Sequence, residues 1–122
     1  MPYEVNSAKK YAYPLNKIYE SAYLSIVAMG GKVTRNDVKN GRLQGQMDKK
    51  LYGKILGDRS LLDITLTEAD GETNMAVLGY PLNAINQKLM FGARPGVVQT
   101  VLAAFFEEVD KRLAQNSEKT ET

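Results

Sequence analysis

The chain predicts a two-layer α+β sandwich: an antiparallel sheet of four or five strands with two helices packed on one face. Three observations carry that prediction. Leu15, Ile18, Ala22, Ile26 and Met29 recur at helical spacing near the beginning, and Val98, Val101, Leu102, Phe105, Val109 and Leu113 do so near the end. Between them, Leu62, Ile64 and Leu66 alternate with Asp63, Thr65 and Thr67 at the period of a half-buried strand. A sheet with one apolar face must be covered, and the two helical stripes supply the cover. The element order reads (β)αββββα.

Residues 1–8 are expected to be a loose start. Lys9 to Tyr13 form a short edge strand before Pro14, which biases Tyr13 toward extended backbone. The first helix is expected from Asn16, a preferred N-cap type, to Met29. Gly30-Gly31 then supply its stop, because glycine accepts the left-handed turn that ends helices. A hairpin follows. Val33, Arg35 and Asp37 lie on one arm and Leu43, Gly45 and Met47 on the other, with Asn40-Gly41 as the tight-turn dipeptide.

Residues 49–59 (KKLYGKILGDR) read as a bent connection or bulged extension, given Gly53 and Gly57. A second hairpin runs Ser60–Glu68, a turn at Ala69-Asp70-Gly71, then Thr73–Tyr80, with Pro81 ending it. Residues 82–96 form a long connection whose Leu82, Ile85, Leu89, Met90 and Phe91 are expected to pack on the body. Pro95 suits a first helical turn, so the second helix is expected from there to about Ala114. Residues 115–122 read as a frayed polar tail.

At 122 residues the chain suits one domain over residues 1–122, large enough to bury roughly two-thirds of its unfolded surface. Its 43% hydrophobic and 25% charged content places it among globular chains rather than disordered ones. Zero Cys excludes disulfides and thiolate zinc sites. Zero His removes the commonest metal ligand and the usual acid–base catalyst near neutral pH. No catalytic residue, metal or cofactor is therefore assigned. The N-terminal residues contain no apolar segment of signal-peptide length, and no run approaches membrane-spanning length, so a cytoplasmic protein without a membrane partner is expected.

Net charge is only +2, but it is unevenly spread. Residues 32–59 carry Lys32, Arg35, Lys39, Arg42, Lys49, Lys50, Lys54 and Arg59 against Asp37, Asp48 and Asp58. Residues 60–85 carry Asp63, Glu68, Asp70 and Glu72 with no Lys or Arg. Such asymmetry can steer partners or associate two copies head to tail, although exposed strand faces are commonly charged.

Candidate ligand-binding residues are Arg94, Tyr52, Tyr80, Met90 and Phe91. Arg94 lies in Gly92-Ala93-Arg94-Pro95-Gly96 before a helix, where free N–H groups attract anions and a guanidinium pairs with phosphate or carboxylate. That segment lacks the full glycine spacing of a nucleotide-binding fingerprint. Tyr52 sits among Lys49, Lys50 and Lys54, a ring beside cations that would suit nucleic acid. The acidic second hairpin in the same sheet opposes that reading, and nucleic acid is not expected. Tyr19 and Tyr23 widen the buried face of the first helix, and tyrosine suits interfaces because its ring buries while its hydroxyl stays bonded. Among carboxylates, Asp58, Asp63, Glu107, Glu108 and Asp110 show no spacing that fixes a catalytic pair. The Gly57-Asp58-Arg59-Ser60 stretch reads as turn chemistry.

In motif order, the stretches YPLNKIYESAYLSIVAMGGKVT, GRLQGQMDKKLYGKILGDRSLLDITL and KLMFGARPGVVQTVLAAFFEEV resemble small uncharacterised bacterial proteins with a helix, a four-stranded antiparallel sheet and a closing helix. The strand–helix–sheet–helix order is also similar in outline to helix-grip ligand-binding folds, with a shorter sheet. Neither resemblance supplies a catalytic residue. The expected function is non-enzymatic: binding an unknown small molecule or protein, or homo-oligomerisation, through the helix-free sheet face or the 82–96 connection. One alternative is a small-ligand or lipid-binding module, its pocket lying between sheet and helices and lined by Met75, Val77, Leu89, Met90 and Phe91. Another is an enzyme working with Asp and Glu, which requires carboxylates converging in a cleft.

Overall fold

The computed structural model describes residues 3–121, with side chains through Gln115. In chain order the elements are β1 (Val5–Tyr11), α1 (Leu15–Ala28), β2 (Lys32–Asp37), β3 (Arg42–Met47), β4 (Lys50–Leu51), β5 (Lys54–Ile55), β6 (Arg59–Ala69), β7 (Glu72–Leu82) and α2 (Val97–Glu121). Five strands form one antiparallel sheet in the order β1-β7-β6-β3-β2, and β4 and β5 form a separate two-stranded ribbon. The fold is the α+β sandwich expected from the sequence.

One row of the sheet shows why both helices lie on the same face. Val5, Gly79, Leu62, Gly45 and Val33 pair in register across all five strands. Leu62 is fully buried, and a glycine stands on each side of it. A Cβ on Gly45 would come within 2.8 Å of Ile26 on α1, and one on Gly79 within 2.9 Å of Val98 on α2. The two missing side chains open two troughs on a single face, and each accepts one helix.

Alternation along β6 puts Leu62, Ile64 and Leu66 beneath the helices, with Leu43, Met47, Met75 and Val77 beside them. Ile18, Ala22 and Ile26 meet them from α1, and Val101, Phe105 and Val109 from α2. Complete burial of each large side chain stabilises by roughly 1.5–3 kcal/mol. The helices are antiparallel. Met47 and Gly31 meet beyond the end of α1, while Lys9 on β1 reaches Asp110 on α2 toward the other end of the sheet.

Several boundaries differ from expectation, each for a local reason. β1 begins at Val5 and ends at Tyr11, because backbone pairing with β7 carries the strand into a stretch with little apolar pattern. Pro14, not Asn16, caps α1. Its fixed φ of −68° with extended ψ sets the entry, and its carbonyl accepts the N–H groups of Lys17 and Ile18. The stop at Gly30-Gly31 is as expected. Gly30 at φ +83° lets its own N–H reach the Val27 carbonyl and the Gly31 N–H reach Ile26.

The β2–β3 loop is not a two-residue Asn40-Gly41 turn. A 3₁₀ turn at Val38–Asn40, capped by Asp37, precedes Gly41 in the left-handed conformation. A bulge between Val33 and Arg35 also breaks the alternation expected of that arm. Residues 49–59 contain the ribbon β4–β5, turned tightly at Tyr52-Gly53 with positive φ at both. The β6–β7 turn is Asp70-Gly71 alone, since Ala69 pairs with Glu72.

Pro81 lies inside β7 rather than ending it. Beyond Gly79 β1 no longer pairs with that strand, and the contact there is the Leu89 N–H to the Pro81 carbonyl, so a missing N–H is tolerated. α2 starts at Val97 rather than Pro95 and continues past Ala114 to Glu121, so the 115–121 backbone is helical. Met1, Pro2 and Thr122, parts of the expected loose termini, lie outside the described residues.

Candidate functional site

The end of the sheet where β3 stops, β6 starts and β7 stops is the most elaborated part of the molecule. Arg59 pairs with Leu82 there, and Ser60 with both Met47 and Pro81. Three segments leave this end: Asp48–Lys49 toward the ribbon, Gly57–Asp58 returning from it, and the connection 83–96 leading to α2. A cavity of about 630 Å³ opens between them, lined by Asp48, Lys49, Asp58, Arg59, Asn83 and Leu89 among others. Leu82 supplies a buried apolar wall, and Lys49 and Arg59 supply positive charge.

The walls are braced. The Asn83 side-chain oxygen accepts the N–H groups of Ile85 and Gln87, at 3.0 and 2.9 Å, and closes a compact turn. The Leu89 N–H donates to the Pro81 carbonyl at 2.9 Å. Arg59 donates to the carbonyls of Asn83 and Ala84, pinning the start of the connection to the start of β6. Asp58 accepts the Arg94 backbone N–H at 2.7 Å, which ties the far end of the connection to the segment after the ribbon. Gly57 makes that approach possible, because a Cβ there would collide with the Arg94 side chain.

The five expected ligand-binding residues do not converge. Arg94 lies against Gly57, with the protein's own carboxylate, Asp58, accepting its backbone N–H. Tyr52 stands on the ribbon, 63% exposed, and its hydroxyl donates to Glu108 of α2 at 2.6 Å. It lines a mainly apolar groove of about 420 Å³ between the ribbon and α2 that also touches Leu51, Leu56 and Ala104. Tyr80 faces the helix-free side, with the Lys88 ammonium 4.6 Å from its ring centre. Met90 and Phe91 are in solvent, 48% and 85% exposed.

The connection therefore packs only in part. Leu82 is buried and Leu89 half-buried, whereas Ile85, Met90 and Phe91 point outward. The set expected to line a pocket between sheet and helices is likewise divided. Met75 and Val77 belong to the packed core beside Phe105, while Met90 and Phe91 stand in water.

The helix-free face is partly covered by its own side chains. Arg42 and Asp63 form an ion pair at 3.3 Å in its middle, and Lys88 pairs with Glu4 at 3.1 Å near its end. A shallow depression of about 430 Å³ remains, lined by Asn6, Ala8, Asp63, Thr65, Ala76 and Leu78. Among carboxylates, Asp63, Asp58, Glu108 and Asp110 each hold an internal partner. No group of three or more metal-ligating residues occurs among the described residues. No helix among them is long and apolar enough to cross a membrane.

Raised tyrosine ionisation marks where phenols are shielded. Burial pushes Tyr11 well above its ordinary value, aided by the charge of Asp110. Tyr52 is pushed up to about 12 by desolvation, then by its bond to Glu108 and that carboxylate's charge. Its ring is largely exposed, so the shielding acts at the hydroxyl end.

Sequence reasoning weighed Asp58 as a carboxylate and a turn residue, Arg59 as part of that turn and of the basic stretch 32–59, and Lys49 as one of the cations around Tyr52. It passed over Asp48 and Asn83 as site residues. The Gly57-Asp58-Arg59 signal was present, but its partners come from a segment 24 to 36 positions away.

No family model matches the chain, and no curated protein matches it. Three solved structures similar to it in outline are TTHA0849 from Thermus thermophilus, Ara h 8.0201 and CV1439 from Chromobacterium violaceum. The first has 10% identity and a TM-score of 0.49, covering 93% of this chain and 99% of that one. The second has 11% and 0.46, covering 91% and 97%. The third has 13% and 0.45, covering 94% and 96%. At such identity and overlap these are likenesses in outline and carry no functional argument.

Proposed function

We propose that this domain works by binding, with no chemistry of its own, and that its ligand site is the cavity at the end of the sheet. The observation that carries the reading is one braced concavity of about 630 Å³ in which Lys49 and Arg59, beside Asp48 and Asp58, stand against an apolar wall. Lys49 and Arg59 suit a carboxylate or phosphate, and Leu82 with Leu89 suit a short apolar body. Pre-formed walls favour affinity, since little ordering remains to be done on binding. The two carboxylates of the cavity support binding over catalysis: Asp58 is engaged by the Arg94 N–H and Asp48 by the Lys49 N–H.

The test is a thermal-shift screen of small carboxylated and phosphorylated compounds against the wild type and Leu89→Trp, which fills the cavity without adding charge. A true ligand at a hundred times its Kd stabilises by about 2.7 kcal/mol. A panel without shifts, or shifts that survive Leu89→Trp, overturns the assignment.

A further inference from the structure

We propose that the connection 83–96, with the cations around it, docks this protein on an anionic phospholipid surface. Such docking shares Lys49 and Arg59 with the cavity but requires no ligand in it. Ile85, Met90 and Phe91, 70%, 48% and 85% exposed, lie within seven positions of one segment. Single exposed apolar groups are ordinary, but three such side chains on one segment mark an interaction surface. They are also held out rather than waiting to collapse inward. The Asn83 turn, the Leu82–Lys88 bridge, the Leu89 bond to Pro81 and the Asp58 bond to Arg94 fix the backbone that presents them.

Cations outnumber carboxylates at the same end of the sheet. Lys32, Lys49, Lys50, Arg59, Lys88 and Arg94 lie at or beside this end of the sheet, against Glu4, Asp48 and Asp58. The opposite end carries Glu68, Asp70 and Glu72 at the β6–β7 turn, with Lys10, Lys17 and Lys39 near it, so its charges largely offset one another. The end with the excess of cations would therefore face an anionic bilayer. Each basic side chain near such a surface adds to the attraction, and added salt screens it. The apolar tips would enter the headgroup region while the lysines and arginines stay among the phosphates.

A second copy of the chain is the weaker occupant. Its acidic turn complements the charge but offers no bulky apolar group within residues 68–72 to cover Phe91. A membrane answers both features at once.

The chain has no tryptophan, so Phe91→Trp gives a unique fluorophore at the tip of the surface. Vesicles of phosphatidylcholine alone are compared with vesicles of phosphatidylcholine and phosphatidylglycerol in equal parts. The expected result is co-sedimentation with the mixed vesicles only, a blue shift of the variant's emission on binding, and release as salt rises from about 0.05 to about 0.5 M. The double variant Ile85→Asp/Phe91→Asp, checked for folding by circular dichroism, should partition about tenfold more weakly or worse. Four outcomes overturn the proposal: no binding at low salt, equal binding to both vesicles, binding without a blue shift, or undiminished binding by the folded double variant. Failure of all vesicle binding alongside capture by an acidic protein assigns the surface to a protein partner instead, and also overturns it.

Discussion

Adding one methyl group at Gly45 probes how closely α1 is seated on the sheet. The new Cβ would lie 2.8, 2.9 and 3.0 Å from Cδ1, Cγ1 and Cγ2 of Ile26, all well inside ordinary contact. Ile26 is fully buried, so it cannot swing into solvent to relieve the clash. Overpacking of this kind costs about 1–3 kcal/mol. For a chain of 122 residues that corresponds to a fall in Tm on the order of 3–15 °C. Ile26→Val removes Cδ1, the nearest atom, at a cost of about 0.5–1.5 kcal/mol when made alone. In the double variant the two changes should compensate, giving a coupling of about 1 kcal/mol across the pair. Urea unfolding of the four proteins, with unchanged m-values, measures this directly. A neutral Gly45→Ala, or strictly additive changes, would refute the account of a glycine trough that seats the helix.

Three further outcomes follow from the geometry. Gly41→Ala should destabilise more than Gly30→Ala: both positions have positive φ, but only at Gly41 would the Cβ collide with backbone, at the Leu66 carbonyl, so comparative melts should show a gap of about 1 kcal/mol or more. Asp58→Ala removes the acceptor of the Arg94 N–H and should release the far end of the connection, read as faster limited proteolysis within residues 83–96 at a global cost of about 0.5–1.5 kcal/mol. Stability should fall as pH rises above about 10, the ordinary tyrosine value. The folded state holds the protons of Tyr11, Tyr19, Tyr52 and Tyr80 above that value, so the unfolded chain loses them first and gains on the folded one. Denaturant melts between about pH 9 and about pH 12 test this, and Tyr52→Phe should flatten part of the slope; a stability constant across that range contradicts the shielding of these hydroxyls.

Much of the architecture was legible because periodicity is local. The stripe Ile18–Ala22–Ile26, the alternation at Leu62–Ile64–Leu66 and the run from Val98 to Leu113 each declare a buried side without reference to the rest of the chain. Boundaries were less legible where a partner strand decides them. β1 reaches back to Val5 because β7 is there to pair with it, and Pro81 stays in a strand because β1 has ended and the contact that replaces it uses the proline carbonyl, not an N–H. The site was harder still. Tyr52 looked like a ring among lysines, yet its hydroxyl is directed to Glu108, a residue 56 positions away. Phe91 looked like packing material, and it is the most exposed of the large apolar side chains described.

The residues alone determined the layers, since alternating and helical apolar spacings can bury themselves in only one way each, and they determined the want of histidine and thiol chemistry. Tertiary structure decided which segments meet at the sheet's end and hence the cavity between them. It also decided that Ile85, Met90 and Phe91 face water. The physical reason is range: a strand's or helix's buried side follows from neighbours within a few positions, whereas a cavity wall and an exposed tip depend on how distant segments close against each other.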